Sequence, residues 1–427
     1  MSSPNSASAI NYLHTFSLFS ESRYSDTLNR SDSRLDFITE YLSSGSEGIL
    51  LICHEIQPSG ASLLFLNVVH GLLERKYKPI ILLNEGASIC AEYFEELNSI
   101  ALCLIVAESE CDSILETIRN CNVIRCISNT IVSALFLKKL KKYGFKTVQL
   151  IHEMKSALSI LNAQDTLCEN VCKYADVIVF PCMAVQNDFF AFAAQSAVGR
   201  TLILPQGIYK DLHISTDKED ARKRIINQSN LPSDAKLVVS SGAVNFGKGA
   251  DLLALILSAL KKSESGNGTQ YHVFWLGSIP ESDSINYQYF LWLKRQIETA
   301  GLTERWHWTG FLSGEEYNTF IQGADCFASV SREDSFPAVL LEAASFETPI
   351  ICFSGTGGGE EIVNMQSGLL IEPFDINMYA EAIEQLCTLD SNSFRKYHIA
   401  AENLKSLFSF EDYLDKLIQL FDIDSGD

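Results

Sequence analysis

Two acidic residues, Asp334 and Glu342, stand eight positions apart in the segment SREDSFPAVLLEA (residues 331–343). Glu342 lies among Leu and Ala, and a carboxylate in such apolar surroundings needs a polar partner, because burying an unpaired charge is costly. A ribose, whose hydroxyl groups donate hydrogen bonds, would be such a partner. Pro337 suits the first turn of a helix, where its missing N–H group costs nothing. The segment therefore predicts a helix with Asp334 just before its start and Glu342 one or two turns inside it.

The predicted start of this helix would also attract an anion, through its free N–H groups and its dipole. Two other interpretations of the acidic pair remain open. In the first, Asp334 is only a helix cap and Glu342 is a solvated helix residue. In the second, the two carboxylates are the acid/base pair of a glycoside hydrolase, although eight helical residues rise about 12 Å whereas such pairs lie about 5–9.5 Å apart.

Two glycine-rich turns follow apolar runs and open further predicted helices: FSGTGGGEEIV (residues 353–363) and SSGAVNFGKGADLL (residues 240–253). The first does not fit the dinucleotide pattern G-x-G-x-x-G, because Glu360 occupies the position of the third glycine. In the second, Lys248 lies between two glycines and beside a helix start. This placement makes Lys248 a candidate phosphate ligand, while a solvated surface lysine is the alternative.

The first half of the chain contributes two more candidates. Gly60, in HEIQPSGASLL (residues 54–64), leads into a long apolar helix and marks a second helix start that would attract an anion. His152, in LIHEM (residues 150–154), directly follows a predicted strand. A lone histidine is more often structural, but its place at the end of a strand makes His152 a candidate site residue.

These residues are positioned by short apolar runs that alternate with helical stretches, a pattern typical of parallel sheets covered on both faces. The first half contains seven predicted strands: GILLIC (48–53), PIILLN (79–84), ALCLIV (101–106), VIRCI (123–127), TVQLI (147–151), VIVF (177–180) and TLIL (201–204). After a polar interval at 215–235 there are six more: KLVVS (236–240), YHVFWL (271–276), WHW (306–308), DCFASV (325–330), PIICF (349–353) and GLLIE (368–372).

The pattern predicts an N-terminal extension at 1–45, a Rossmann-like domain at 46–210, a second at 211–385, and C-terminal helices at 386–427 that cross back to the first domain. When two such domains face each other, the carboxyl ends of both sets of strands meet at one cleft, which is the favoured place for a ligand. The candidate residues all lie at these strand ends.

The amino-acid composition of the chain argues against some partners and some kinds of site. The net charge of −20 argues against a nucleic-acid partner. The 12 cysteines include no CxxC pair, and Cys53, Cys103, Cys326 and Cys352 lie inside apolar runs, which predicts buried, reduced thiols. Cys168 and Cys172 lack the further ligands of a zinc site. The Asp-x-Asp of residues 422–424 lies in the tail and is predicted to be solvated, so no metal site is expected.

The sequence also predicts where the protein works. The N-terminus lacks the basic region of a secretory signal, and the longest apolar runs are too short to cross a bilayer. A cytoplasmic protein is therefore expected. Four lysines, Lys138, Lys139, Lys141 and Lys142, cluster near a predicted helix end. Solvated lysines at a helix C-terminus are the favoured interpretation, and peripheral contact with anionic lipids at the inner face of the membrane is the alternative.

Together these segments resemble the retaining, nucleotide-sugar-dependent glycosyltransferases of the GT-B fold, the large family four. The resemblance extends from about Leu50 to Ile383 and is strongest in GAVNFGKGADLL, FWLG, WHWTGFLS, GADCFASVSREDSFPAVLLEAASFETPII, GTGGGEEIV and SGLLIEPFD. The family signature is an acid, seven residues and then Glu, and Asp334 and Glu342 supply it with Asp in place of the usual first Glu. The resemblance implies an α/β fold in which two Rossmann-like domains face an interdomain cleft.

The resemblance implies roles for the residues of the second domain. Asp334 would hold hydroxyl groups of the donor sugar, and Glu342 would hold those of the ribose. Lys248 would pair with the diphosphate, and Leu312 would lie against the base. The backbone of Phe336, Pro337, Ala338 and Val339 would line the sugar and the phosphates.

In the first domain, the resemblance implies that Gly60 lets the loop approach the phosphates and that His152 lies under the transferred sugar. The implied enzyme is a metal-independent hexosyltransferase of class EC 2.4 that needs no cofactor besides its nucleotide-sugar co-substrate. Its acceptor would be a glycan or a lipid-linked or protein-linked hydroxyl. A non-catalytic member that binds sugar or scaffolds a partner enzyme remains open.

The chain departs from the family at one place that matters for the donor. The family often has Arg-Lys-Gly with a further Arg upstream, whereas this chain has Gly247, Lys248 and Gly249, with Ala243 upstream. Diphosphate binding would then rest on one lysine and on helix N-termini. Glu333 also competes with Asp334 for the first acidic role, and Asp334 is chosen because it restores the eight-residue step.

Overall fold

The computed structural model describes residues 31–422 except 44, 46, 58, 194–196, 211, 213–216, 265–268 and 283. Most of the predicted extension at 1–45 and the second aspartate of the Asp-x-Asp, Asp424, lie outside the described residues.

The first half of the described chain forms a parallel sheet of seven strands in the order β3-β2-β1-β4-β5-β6-β7. The strands are β1 (Gly48–Ile56), β2 (Lys78–Ile89), β3 (Leu102–Val106), β4 (Arg125–Asn129), β5 (Lys146–Leu150), β6 (Val177–Phe180) and β7 (Arg200–Ile203). The core of β1 is buried on both faces, since none of residues 49–53 is more than 1% exposed. Burial on both faces explains why this strand is an unbroken apolar run.

The second half forms a parallel sheet of six strands in the order β10-β9-β8-β11-β12-β13 among the described residues. The strands are β8 (Lys236–Ser241), β9 (Tyr271–Leu276), β10 (Trp306–Gly310), β11 (Cys326–Ser329), β12 (Ile350–Phe353) and β13 (Gly368–Ile371). All thirteen predicted strands are therefore present. The prediction of an α/β fold with two parallel sheets is confirmed.

The helices lie between the strands and at the two ends of the described chain. They are α1 (Ser31–Leu42), α2 (Gly60–Glu74), α3 (Ala91–Ile100), α4 (Cys111–Asn120), α5 (Leu137–Lys142), α6 (Lys155–Ile160), α7 (Glu169–Tyr174), α8 (Met183–Ala193), α9 (Lys218–Gln228), α10 (Ala250–Ser263), α11 (Tyr287–Thr299), α12 (Gly314–Gly323), α13 (Ala338–Ser345), α14 (Gly359–Ile362), α15 (Ile376–Cys387), α16 (Ser391–Leu407) and α17 (Phe410–Gln419). A short 3-10 helix, Ile131–Phe136, follows β4.

Two strand predictions were too short. β1 continues to Ile56 and β2 to Ile89, because the two strands keep pairing past the apolar core through a register shift between Cys53 and Glu55. The extensions contain polar residues, among them His54, Glu55, Glu85 and Ser88, which interrupt the apolar pattern on which the prediction rested. Cys103 is half-buried rather than buried because it lies on β3, the edge strand of its sheet.

Each sheet has a point where the strand order reverses. In the first sheet β1 lies between β2 and β4, and in the second β8 lies between β9 and β11. In open parallel sheets, ligands bind beyond the carboxyl ends of the strands on either side of such a point. The turns after β1, β4, β8 and β11 are therefore the places where a site is expected.

The two sheets are joined by a shared core and by the last helices. One buried cluster contains residues of both halves, among them Ile151 and Met154 from the first and Phe336 and Leu340 from the second. Helix α16 packs on α13 of the second domain, whereas α17 packs on α2 of the first. Arg75 of the α2 end binds Asp415 of α17 at 2.7 Å.

Candidate functional site

Lys248 and Asp334 meet at the point where the strand order of the second sheet reverses. Lys248 lies in the turn after β8 and Asp334 in the turn after β11. The lysine Nζ is 2.5 Å from Asp334 Oδ2, and the hydroxyl of Ser331 donates to the same oxygen at 3.4 Å. The Lys248 side chain is one-third exposed, so the pair is open to a ligand. The structure thus brings together the predicted phosphate ligand and the predicted sugar-binding acid.

The glycine-rich turn after β12 packs directly against Asp334. Gly357 has φ of +129°, and a Cβ at this position would lie 1.8 Å from the carbonyl oxygen of Asp334. The main-chain N–H of Asp334 donates to the carbonyl of Thr356 at 2.8 Å. Gly357 is therefore needed for a close approach of two turns, which fixes the backbone that carries the acid.

Glu342 lies inside α13 and is 2% exposed, so the interpretation of this residue as solvated is wrong. Its two carboxylate oxygens are 3.0 and 3.1 Å from Nζ of Lys210, and the Tyr317 hydroxyl donates to one of them at 2.7 Å. Glu342 was expected to need a polar partner such as a ribose, and the chain itself already supplies such partners. The contact of Glu342 with a ribose stays a prediction.

Tyr317 and Lys210 also contact each other, because the ammonium group lies 4.5 Å from the centre of the tyrosine ring. Burial, and then the charge of Glu342, raise the pKa of Tyr317 well above its usual range, so this hydroxyl remains a hydrogen-bond donor. Neither residue was predicted from the sequence. Lys210 lies in the segment between the two sheets and is 132 positions from Glu342, so no local pattern connects them.

Glu333 and Asp334 point to different partners. The carboxylate of Glu333 accepts hydrogen bonds from the main-chain N–H of Ser156, at the start of α6, at 3.2 and 3.3 Å. Asp334 instead faces Lys248. Of the two acids that competed for the first acidic role, Asp334 therefore lies beside the lysine and Glu333 reaches across to the first domain.

The segment of residues 336–339 forms the start of α13. Pro337 lies at the N-cap, one residue before the helix begins at Ala338. The carbonyl of Phe336 accepts a hydrogen bond from Gln206 Nε2 of the first domain at 3.1 Å. Ala338 and Val339 are half-buried. Their roles toward the sugar and the phosphates stay predictions, and the helix start faces the neighbouring domain as those roles require.

Leu312 lies in the turn between β10 and α12 and is half-buried against the core that contains Tyr317. Its neighbour Phe311 is 62% exposed. Contact of Leu312 with a base stays a prediction.

Gly60 is the first residue of α2 in the first domain. The side chain of Ser59 caps the helix by accepting from the N–H of Ser62 at 3.3 Å. A Cβ at Gly60 would meet no atom within 4 Å among the described residues. The space over this helix start is therefore free for a ligand, and the predicted approach to phosphates stays a prediction.

His152 directly follows β5, and its Nε2 is 3.1 Å from Oδ1 of Asn129 at the end of β4. Burial lowers the pKa of His152 to about 4, so the ring is neutral near pH 7. The next residue, Glu153, accepts hydrogen bonds from the main-chain N–H groups of Ile131 and His152 at 3.1 and 3.0 Å. Burial raises the pKa of Glu153 to about 7.

Thr130 has φ of +71°, which is strained for a β-branched residue. Its hydroxyl is 2.6 Å from Nδ1 of His54, at the β1 end, and its carbonyl accepts from Gln149 Nε2 at 2.7 Å. Burial lowers the pKa of His54 to about 4. Strained residues of this kind cluster at functional sites. Asn129, Thr130, His54 and Glu153 were missed from the sequence, although Glu153 directly follows a residue that was predicted.

Four contacts join the two sets of strand ends. Besides the bonds of Glu333 and Phe336, Glu361 accepts from the N–H of Met183 at 2.8 Å, and the Cys182 thiol lies 3.0 Å from the carbonyl of Ser335. The candidate residues of both domains therefore lie at two edges that face each other.

Arg332, whose main-chain N–H donates to the carbonyl of Gly247 at 2.8 Å, does not replace the arginine that the family often has. Arg332 forms a two-point ion pair with Asp251 at 2.7 and 2.9 Å and lies over the ring of Phe246. This guanidinium is therefore already occupied. Lys210 is the other cation that the structure places beside an acid of the predicted signature.

Three of the four clustered lysines are bound to acidic groups. Lys139 and Lys142 both contact Asp112, and Lys141 contacts Asp176 at 2.6 Å. These pairs reduce the positive charge that a membrane surface would meet, and peripheral membrane contact stays a prediction. No helix within the described part of the chain is long and apolar enough to cross a membrane. Nor do the described residues include three or more metal-ligating side chains grouped to hold an ion.

This chain is similar to known proteins in both sequence and structure. The family model of "Glycosyl transferases group 1" matches residues 221–405. D-inositol 3-phosphate glycosyltransferase of Corynebacterium diphtheriae is 20% identical over 286 residues, which are 64% of this chain and 65% of that protein. A putative teichuronic acid biosynthesis glycosyltransferase of Bacillus subtilis is 26% identical over 184 residues, 42% of this chain and 40% of that protein. The chain thus spans less than two-thirds of the length of these relatives.

Two solved structures resemble the whole described chain. Anabaena HepE in complex with UDP and glucose superposes with a TM-score of 0.70 at 16% identity, covering 88% of this chain and 99% of that one. Sucrose-phosphate synthase from Thermosynechococcus elongatus gives a TM-score of 0.67 at 17% identity, covering 88% and 98%. Residues 221–405 therefore match the glycosyl transferases group 1 family, and the chain as a whole has the GT-B fold of two parallel-sheet domains that face each other.

Proposed function

We propose that this protein is a retaining glycosyltransferase, which moves a sugar from a nucleotide-diphosphate-sugar donor to an acceptor hydroxyl group. The observation that carries the proposal is a pair of lysine–carboxylate contacts on either side of the α13 start. Lys248 holds Asp334, and Lys210 holds Glu342, at the carboxyl edge of the second sheet. The family of residues 221–405 supports the same conclusion.

The two contacts supply complementary groups for one donor. A carboxylate oxygen accepts about two hydrogen bonds, and one oxygen of Glu342 already accepts from both Lys210 and Tyr317. Two ribose hydroxyls therefore bind Glu342 only if Lys210 gives up at least one of its contacts. Oδ2 of Asp334 already accepts from Lys248 and Ser331, so a sugar hydroxyl that binds this oxygen would displace Lys248 toward the diphosphate.

The leaving diphosphate gains negative charge during the reaction. Lys248 and the free N–H groups at the start of α13 would stabilise that charge where it develops. Metal independence is part of the proposal, because these groups neutralise the diphosphate without an ion. Closure of the two domains would exclude water, whose attack would waste the donor.

The donor proposed for the first test is UDP-glucose, because HepE, which shares the fold, was solved in complex with UDP-glucose. The acceptor would be a hydroxyl of a glycan or of a lipid-linked or protein-linked precursor, as in the synthesis of polysaccharides, glycolipids or glycoprotein glycans. A cytoplasmic location, at which nucleotide sugars are available, belongs to the same proposal.

The hydrolase alternative is weakened by the contacts of the two acids. Asp334 and Glu342 share no partner, since the first binds Lys248 and Ser331 and the second binds Lys210 and Tyr317. An acid/base pair would flank one glycosidic bond. A non-catalytic sugar-binding protein remains the second candidate, because both lysines already have carboxylate partners.

The test is turnover by the purified protein. UDP-, GDP-, ADP- and TDP-hexoses, each labelled in the sugar, are incubated with a panel of glycan and lipid-linked acceptors, with and without a metal chelator. We expect labelled product and free nucleoside diphosphate with one donor base, and thermal stabilisation by the same nucleoside diphosphate. Stabilisation without turnover would favour the non-catalytic alternative, and release of free sugar from a simple glycoside would favour the hydrolase.

A further inference from the structure

The side chain of Asn129 connects β4, the turn after β5 and the start of α2, at the carboxyl ends of the strands of the first sheet. It is the last residue of β4 and is 1% exposed. Its Oδ1 lies 3.1 Å from Nε2 of His152, and its Nδ2 donates to the carbonyl of Ala61, in the first turn of α2, at 3.5 Å. Because the amide nitrogen has a carbonyl to donate to, the oxygen is the atom that faces the ring. An amide oxygen only accepts, so the histidine must donate from Nε2.

We propose that Asn129 is a positioning residue, which fixes His152 as the tautomer with its proton on Nε2. In that tautomer Nδ1 carries the lone pair of the ring. His152 then acts as a hydrogen-bond acceptor for a hydroxyl group of the bound sugar. The consequence for turnover rests on the proposed function, whereas the tautomer itself does not.

The residues around Asn129 hold it in place. Its own carbonyl accepts from the hydroxyl of Ser133 at 2.7 Å. The next residue is the strained Thr130, which is held by Gln149 Nε2 on one side and by His54 on the other. A strained backbone persists only where its surroundings over-determine it. Asn129 therefore keeps its orientation whether or not a ligand is bound.

The partner of His152 is neutral, and this decides what the ring can do. A carboxylate at the same distance would stabilise the protonated ring, but an amide does not. The other titratable groups at this edge include Cys53, whose thiol also contacts the side chain of Asn129, and His54, Glu55 and Glu153. Glu55 is 3.7 Å from Nε2 of His54, and Glu153 faces main-chain N–H groups. His152 is thus held as a neutral acceptor, unlike a histidine that is paired with aspartate to carry a positive charge.

This arrangement restricts which groups of a ligand can form a hydrogen bond with His152. Only a group that carries a proton, such as a hydroxyl, can donate to Nδ1. A donor sugar that is deoxy or fluoro at the contacted position loses this hydrogen bond. We therefore infer that one hydroxyl of the bound sugar is recognised by a ring whose tautomer is set by Asn129.

The first experiment measures the tautomer directly. The full chain is labelled with 15N-histidine, the His152 signals are assigned with H152Q, and the half-exposed His70, which contacts Glu96 on the other side of α2, is the internal control. In the unaltered protein we expect the proton on Nε2. N129L, which has similar size but no acceptor, should give a mixture of tautomers. A proton on Nδ1 in the unaltered protein, or an unchanged tautomer in N129L, would overturn the proposal.

Three further variants keep the measurement decisive. N129S has a side chain too short to reach the ring, and it replaces N129L if the leucine variant does not fold. N170L removes a half-buried asparagine that donates to the Ala134 carbonyl in the same domain, and it should leave the His152 tautomer unchanged. In N129D the proton should stay on Nε2, and the pKa of His152 should rise by at least one unit.

The second experiment links the tautomer to turnover. In N129D, the acidic limb of the pH–rate profile should move upward by the same shift as the pKa of His152. N129L should discriminate less than the unaltered protein between a hexose donor and its deoxy analogues. If the protein turns over no donor, the proposed function fails while the NMR result still decides the tautomer. Turnover that is insensitive to N129L and N129D would show that the ring makes no contact with the sugar.

Discussion

The carboxyl edges of the two sheets face each other and carry different kinds of side chain. At the edge of the second sheet, charged groups are paired: Lys248 with Asp334, and Glu342 with Lys210 of the segment between the two sheets. At the edge of the first sheet, His152 is held neutral on the amide of Asn129. Paired charges can exchange partners with an anionic ligand, whereas neutral, fixed groups suit the hydroxyls of a sugar. The difference predicts that the anionic diphosphate is recognised mainly by the second domain, and that the first domain adds neutral hydrogen-bond partners for the sugar to those that Asp334 supplies.

The largest effect is expected at Lys210, because its loss leaves the carboxylate of Glu342 buried without a cation. K210M should lower the free energy of unfolding by about 3 kcal/mol, the low end for a broken buried pair, since the lysine is one-third exposed. Urea unfolding followed by tryptophan fluorescence measures this, because all four tryptophans lie in the second domain, at positions 275, 292, 306 and 308.

The control for Lys210 is an exposed ion pair. K173M removes a lysine that binds Glu169 on the surface of α7 and should leave stability almost unchanged, because solvent screens an exposed ion pair. Equal losses in K210M and K173M would contradict the view that the second domain depends on paired buried charge.

The next effect separates nucleotide from sugar binding. In the proposed function Asp334 accepts from two sugar hydroxyls, so D334N should lower kcat/KM for the nucleotide sugar roughly 100-fold, at about 1.5 kcal/mol for each charge-assisted hydrogen bond. The same change frees Lys248, so the affinity for the nucleoside diphosphate should hold or increase. K248M should weaken both.

Calorimetric titration with the nucleoside diphosphate, set beside turnover, tests this separation. D234N, at an exposed position before β8, is the control and should change neither quantity. If D334N weakens nucleotide and sugar binding equally, the acid does not distinguish them.

The strands were predictable because a parallel strand that is buried on both faces is an unbroken apolar run in the sequence. β6 (Val177–Phe180) is an example, since each of its residues is buried. Likewise the eight-residue step between Asp334 and Glu342 lies within one turn and one helix, so it could be found without the fold. Features that lie within one short segment of the sequence were therefore predictable.

The partners of those residues were not. Lys210 and Glu342 are 132 positions apart, and Asn129 meets His152 across two neighbouring strands. Such contacts depend on strand order and on the orientation of the domains, which no short segment encodes. Thr130 shows the same limit, because its positive φ is set by Gln149 and His54 rather than by its own residue type.

A smaller effect concerns pH and the neutral edge. Burial raises the pKa of Glu153 from 4.5 to about 7, so the folded state binds its proton more tightly than the unfolded state does. The contribution of Glu153 is therefore complete below about pH 4.5 and is lost as pH rises toward 7. His54 and His152, whose pKa values are lowered to about 4, act oppositely, since their contribution is lost as pH falls from 6.5 toward 4.

E153Q removes only the pH dependence that Glu153 contributes to stability and keeps that of the two histidines. Relative to the unaltered protein, the variant should gain stability steadily as pH rises from about 4.5 to 7, in urea unfolding measured at each pH. E169Q, at an exposed glutamate, should give a difference that does not follow this course. A constant difference for E153Q across the window would show that Glu153 is not buried as a neutral acid.

The smallest effect is expected where the two edges touch. Glu333 and Glu361, from the second domain, accept from the N–H groups of Ser156 and Met183 at the starts of α6 and α8 in the first domain. They act as helix caps supplied by the opposite domain, and a cap is worth about 0.5–2 kcal/mol. Both contacts are partly exposed, so the low end of that range applies.

E333Q and E361Q keep the shape of each cap but remove its charge, so each should shift the balance between closed and open forms only a few-fold. X-ray scattering should show a larger radius of gyration for the double variant, and added salt should bring the unaltered protein toward the same value, because salt screens exposed charge. E381Q, on the exposed face of α15, is the control. If neither variant nor salt changes the radius, the closed form is held by the shared core around Met154 and Phe336 instead, and the charge that distinguishes the second domain serves ligand binding alone.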